Sequence, residues 1–171
     1  FIDQTIGHFG TLDILVNNAG GAGDLQPLVN LSDEAFDEAM KWNVYSTFWA
    51  CRRALPTLLE KGDGRIINMV SKGPDPNNLA YIASKGMLIA ITEPLSVGLA
   101  PIGITVNSID PGPTDSGWIN EELRNHLLPM FPMGRLGQPE DAAKLIRFLA
   151  SDDSGWITGQ LIKSEGGFLG K

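Results

Sequence analysis

Tyr81-Ile82-Ala83-Ser84-Lys85 sets a phenol and an ammonium four residues apart, and on a helix that spacing brings both onto one face. A phenol with its ordinary pKa of about 10 exchanges protons poorly at neutral pH. A neighbouring positive charge stabilises phenolate and draws that pKa toward the range where general acid–base catalysis is efficient. The same spacing also decorates solvated helix faces, so the pair takes its meaning from the residues around it.

The elements that must position this pair alternate along the chain. Residues 1–10 repeat apolar side chains at helical spacing (Phe1, Ile2, Ile6, Phe9) with no start signal before them, so the chain opens in mid-fold. Residues 13–17 form a short apolar run that stops at Asn18-Ala19-Gly20-Gly21, the pattern of a buried parallel strand ending in a loop. Ser32 is an N-cap, with Asp33 and Glu34 behind it, for a helix that is interrupted near Asn43, kinked before Pro56 and ended by Gly62. Residues 65–70 predict a second strand that delivers Ser71 at its carboxyl end, followed by a loop over residues 73–78. The helix carrying Tyr81 and Lys85 extends to about Leu99 with Ala83, Met87, Ile91 and Leu95 as its apolar stripe, bent by Pro94. A third strand, residues 104–109, ends at Asp110-Pro111-Gly112. An irregular segment with a short helix at 120–128 follows. Pro139 then opens a last helix with Ala142, Leu145, Ile146 and Leu149 as its stripe, and residues 160–163 make a fourth strand. This alternation predicts an α/β fold, a parallel sheet with helices on both faces.

Composition narrows the partners. The chain has 171 residues, 43% of them hydrophobic, which suffices for a real core. With 13 Lys+Arg against 20 Asp+Glu the formal charge is -7, which argues against nucleic acid and anionic lipid and for a small or neutral ligand. Cys51 is the only cysteine, so the expected compartment is the reducing cytosol. No apolar run is expected to approach the about 20 residues of a membrane span, and no signal peptide is evident. One cysteine and two distant histidines, His8 and His126, offer no metal cluster and no triad, and no G-x-S-x-G elbow occurs.

Ligands of such sheets bind at the carboxyl ends of the strands. Asn17-Asn18-Ala19-Gly20, Trp42-Asn43-Val44, Ser71, the Tyr81/Lys85 pair and Pro111-Gly112 stand there in one order. Together they resemble the short-chain dehydrogenase/reductase family along the whole chain. The resemblance implies a Rossmann-like doubly wound parallel sheet and hydride transfer between NAD or NADP and a carbonyl or alcohol, as in a 3-oxoacyl reductase. It assigns Ser71 to the substrate oxygen, Tyr81 to acid–base work, Lys85 to the nicotinamide ribose and to perturbing the tyrosine, and Asn43 to a proton-relay water. Asn17, Ala19, Gly20, Tyr81, Lys85, Pro111, Gly112, Thr114 and Ser116 would contact the cofactor. Two hydroxyls converging on one oxygen stabilise alkoxide while the tyrosine moves the proton.

Several features depart from the family pattern. The Ser71-to-Tyr81 spacing is a few residues short, Ser116 replaces the usual threonine, and Ser164-Glu165-Gly166-Gly167 replaces Val-Asp-Gly-Gly. The glycine-rich dinucleotide loop of the first βαβ unit is absent, because Gly20, Gly21 and Gly23 follow the wrong strand. The expectation is therefore a single partial NAD(P)-binding domain over residues 1–171, with the N-terminal βαβ half missing. A catalytically silent fragment or nucleotide-binding relative whose role is assembly is the competing reading. The two long helices, around residues 44–59 and 80–99, carry more apolar residues than one sheet face can bury, and the resemblance implies that such helices pair across a twofold axis in a homodimer or homotetramer. Trp118, Leu127, Met130 and Phe131 form either a mobile lid over a substrate with a hydrophobic portion or part of the core.

Overall fold

The apolar runs become four strands in the computed structural model, which describes residues 1–73 and 75–170; Pro74, in the expected loop, lies outside the described residues. β1 (Ile14–Asn17), β2 (Gly64–Met69), β3 (Ile104–Asp110) and β4 (Leu161–Lys163) form one parallel sheet in that order. β2 and β3 are buried at every position, as strands covered on both faces must be. Asn17 pairs with Asn68, and Asn68 with Ser108, so the carboxyl ends of three strands finish at one level.

Alternate strand residues feed two cores. Leu15, Ile66, Ile104 and Val106 meet Cys51, Ala54 and Leu58 of α3 (Ser46–Lys61) and Leu99 of α4 (Leu79–Leu99), with Ile2 and Ile6 of α1 (Ile2–Phe9) against them. Ile67, Met69 and Ile109 face the other way, onto Ala142 and Leu149 of α6 (Pro139–Leu149). A third cluster of Ile119, Leu127, Phe131 and Leu136 surrounds α5 (Glu121–Leu127).

The expected interruption near Asn43 is a π-helical turn, Lys41–Tyr45, joining α2 (Asp33–Met40) to α3. Such turns concentrate at functional sites because the extra residue re-aims a side chain. Here it carries Asn43 into full burial. Helix α4 spans the expected residues, but the stripe is different. Ala83 and Met87 lie outward, while Ala80, Ser84, Lys85, Leu88, Thr92 and Ser96 are buried. The physical reason is close approach: short hydroxyl side chains satisfy themselves on the helix backbone and let α4 lie tightly on β3. Thr92 donates to Leu88 O and also meets Ser108 Oγ at 2.6 Å. A second expectation also fails, since Leu79–Ile102 is long and apolar enough to cross a membrane by length and composition. Its buried Lys85 and hydroxyl face make it a core helix of this sheet.

Leu58 is fully buried at the centre of the first core. Leu58→Ala is expected to destabilise the fold by about 2 to 5 kcal/mol, since it removes buried methyl groups and leaves a cavity; denaturant unfolding with an unchanged slope checks this.

Candidate functional site

The level ends of β1, β2 and β3 bring most of the predicted residues into one region. Ser71 follows β2 and Val70, and Tyr81 projects from the first turns of α4, where the Ser71 hydroxyl acts on its phenol and favours the phenolate. Lys85, one turn further, is 4% exposed; its Nζ donates to Met69 O at 2.8 Å and lies 5.8 Å from the centre of the Tyr81 ring.

Burial controls the proton affinities here. The low-dielectric surroundings of Lys85 pull its pKa down from 10.5 to about 8. Tyr81 is pushed the other way, above 10, first by burial and then by the negative charge of Asp110, with the Ser71 hydrogen bond opposing. Desolvation by burial is the largest cause of this shift, where the resemblance implied a phenol drawn downward by the lysine. Tyr81 is thus held in its protonated, donating form at neutral pH.

The loop after β1 lies over the lysine. Asn43 clamps it, accepting from Gly21 N–H at 3.1 Å and donating to Gly21 O and Ala39 O at 3.0 Å each. A Cβ on Gly20 would stand 2.3 Å from Asn43 Oδ1 and 3.1 Å from Lys85 Nζ, so only bare backbone fits. Asn18, Ala19 and Gly20 are exposed. Asn17 is not: its side chain turns inward and donates to Asn68 Oδ1 at 2.9 Å and Cys51 Sγ at 3.4 Å. It ties β1 to β2.

At the end of β3, Gly112 adopts φ +60°, and a Cβ there would press within 2.8 Å of Glu165 Cβ. Thr114 Oγ1 donates back to Gly112 O at 3.2 Å, while Ser116 stands exposed. Of the four lid candidates, Leu127 and Phe131 belong to the third core, Met130 leans against it, and Trp118 stays 59% exposed with its Nε1 on Thr114 O. Two residues escaped the sequence reading: Asp110, buried at 2%, and Asn68, buried at 1%. Their signal was polarity at the end and in the middle of otherwise apolar strands.

A buried ammonium also leaves a mark on stability. Between pH 8 and 10.5 the unfolded chain binds a proton at Lys85 that the folded chain has released, so stability rises with pH across that window. The gain is about 3 kcal/mol. Lys85→Met is expected to abolish this rise, which urea unfolding at several pH values measures.

Comparison with known proteins places this geometry. A family model described as enoyl-(acyl carrier protein) reductase matches residues 1–169. A Bacillus subtilis (strain 168) protein described as uncharacterized oxidoreductase YjdA is 49% identical over 165 residues, which are 94% of this chain. The chain spans 65% of that relative's length. The 3-oxoacyl-[acyl-carrier-protein] reductase FabG of Staphylococcus aureus (strain Mu50 / ATCC 700699) is 36% identical over 174 residues, covering 97% of this chain and 70% of the relative. Among solved structures, 7 alpha-hydroxysteroid dehydrogenase complexed with NADH and 7-oxo glycochenodeoxycholic acid superposes with a TM-score of 0.92 at 31% identity, over 99% of this chain and 69% of the other. With its parallel sheet and with Ser71, Tyr81 and Lys85 gathered at one strand edge, the chain belongs to the short-chain dehydrogenase/reductase family.

Proposed function

We propose that this chain carries the substrate and nicotinamide side of an oxidoreductase that moves a hydride between NAD(H) or NADP(H) and a carbonyl or alcohol, in the manner of a 3-oxoacyl reductase. The observation that carries the reading is the buried Lys85 ammonium 5.8 Å from the centre of the Tyr81 ring, one helical turn away, with Ser71 following the neighbouring strand at the carboxyl edge of a parallel sheet. The FabG and hydroxysteroid dehydrogenase similarities support the reaction class.

The residues present fit the nicotinamide–ribose half of such a cofactor. Gly20 offers a bare backbone edge directly above Lys85, whose ammonium has N–H donors beyond the one given to Met69 O. Asn17 through its backbone, Ala19, Gly20, Tyr81, Lys85, Pro111, Gly112, Thr114 and Ser116 would hold it. When bound, the cofactor supplies the hydride for the carbonyl carbon.

The chain's own side chains do the proton chemistry. Tyr81, protonated at neutral pH, donates its phenolic proton to the carbonyl oxygen. Ser71 turns its hydroxyl to the same oxygen and stabilises developing charge there. Lys85, charged below about pH 8, stabilises the phenolate left behind. Asn43 keeps the β1 loop seated on the lysine. The exposed indole of Trp118 supports a substrate with a hydrophobic portion. In the same reading, residues 1–171 are part of one NAD(P)-binding domain of a cytoplasmic protein without nucleic acid or membrane partners.

In the protein as the cell makes it, Tyr81→Phe is expected to lower turnover by about 10²- to 10⁴-fold with folding intact, because only the proton donor is removed. Nicotinamide absorbance across a panel of ketones and alcohols reads this; retained turnover excludes Tyr81 as the acid–base residue. Ser71→Ala should lower turnover while leaving dinucleotide binding close to wild type.

Assembly follows from what the helices leave open. Tyr45, Phe48 and Trp49 near and on α3, with Met87 and Val97 on α4, are large apolar side chains turned to solvent, which supports a homodimer or homotetramer. Light scattering at micromolar concentration is expected to give two or four times the chain mass, and a monomer would count against it.

A further inference from the structure

Trp118 is exposed, yet the turn that carries it is fixed from several sides. Its Nε1–H donates to Thr114 O at 2.8 Å, the same carbonyl that accepts from Ser116 N–H at 3.0 Å. Thr114 is itself anchored, pairing with Gly137 as an isolated parallel bridge and donating from Oγ1 to Gly112 O at 3.2 Å. The next residue, Asp115, donates its N–H to Gly137 O at 2.9 Å. One oxygen of its carboxylate accepts from Gly117 N–H at 3.3 Å, and the other pairs with the Arg124 guanidinium on α5. The Asp115 side chain is only 14% exposed, so this ion pair is partly shielded from water, unlike an ordinary surface pair.

The far side of this ion pair is held as well. Leu123 and Leu127 of α5 pack into the third core, and Asn120 caps the helix by accepting from Leu123 N–H at 2.9 Å. Ile119 is buried in the same core, so the backbone beside Trp118 is pinned while the indole itself stays outside. Residues 115–124 therefore form a loop clasped at its two ends, with one hydrogen-bonded aromatic ring on its outer side. The loop starts beside the reacting groups: Val70 N–H donates to Ile109 O at 2.9 Å, so Ser71 and the Pro111-Gly112 turn leave adjacent strand ends.

We propose that Trp118 is a specificity-determining residue, a preset aromatic platform at the strand-end mouth that receives the apolar portion of the substrate remote from its carbonyl. Asp115 and Arg124 act through the tryptophan and are positioning residues. The inference rests on the reading of Ser71 and Tyr81 as the groups that meet the carbonyl oxygen. An apolar chain gains by covering the indole face, and an indole already held by its N–H gives up little rotamer freedom when the chain arrives.

The test uses the protein as the cell makes it and two probes, the 3-oxobutanoyl and 3-oxooctanoyl thioesters of N-acetylcysteamine. Trp118→Ala is expected to lower the ratio of kcat/KM, longer probe over shorter, by about five- to fiftyfold, chiefly through the KM of the longer one. Arg124→Met should lower the same ratio by about threefold or more, with Arg124→Lys recovering part of it. A general loss of fold or chemistry cancels in this ratio, and a ratio unchanged in Trp118→Ala overturns the proposal. The clasp is read without substrate or turnover, from the Trp118 indole N–H resonance, assigned by its loss in Trp118→Phe. In wild type that proton is expected to exchange with solvent about tenfold or more slower than a free indole, and in Arg124→Met to lose most of this protection. An unprotected indole in wild type overturns the platform whatever the kinetics show. Protection without turnover of either thioester overturns instead the activity reading on which the inference rests.

Discussion

Lys85 carries a charge into a site with 4% exposure, and the surrounding geometry is arranged around keeping it there. Desolvation opposes the ammonium, so its pKa drops to about 8, and the Met69 carbonyl at 2.8 Å offsets part of the loss. Room for that contact exists only because the β1 loop crosses as bare backbone at Gly20. Asn43 holds the loop down by pairing with both polar groups of Gly21, and the π turn is what aims Asn43 at it. One desolvated charge thus links a strand end, a loop glycine and a helix irregularity that are remote in sequence.

The same low-dielectric setting decides how Tyr81 behaves. Burial and the Asp110 carboxylate both raise its proton affinity, and the Ser71 hydrogen bond lowers it. The balance favours a neutral phenol that donates, which suits reduction of a carbonyl at neutral pH.

Polar side chains inside the sheet serve its carboxyl edge. Asn17 bonds Asn68 across β1 and β2, and Thr92 bonds Ser108 between α4 and β3. These contacts bring the strand ends level and draw α4 close with hydroxyls in place of bulky apolar groups. In consequence the larger apolar residues of α4 and α3 stand outside, where one layer of helices cannot cover them.

Much of this was legible in the residues. Apolar runs bounded by glycine and proline marked all four strands to within a residue or so; for β2 and β3 this is because a strand buried on both faces must be apolar along its length, whereas β1, expected to be buried, leaves Ile14 and Val16 exposed on one face. Spacing four apart was enough to co-locate Tyr81 and Lys85, since helical geometry is local. What sequence could not supply were quantities that depend on neighbours far along the chain. The resemblance put Asn17 against the cofactor, whereas pairing with Asn68 turns its side chain inward, and Ala83 and Met87 looked like the buried stripe until Ser84, Thr92 and Ser96 took that face. The direction of the Tyr81 shift was missed for the same reason. A pKa is set by solvent exclusion and by charges brought close from other strands, and both exist only once the chain has folded.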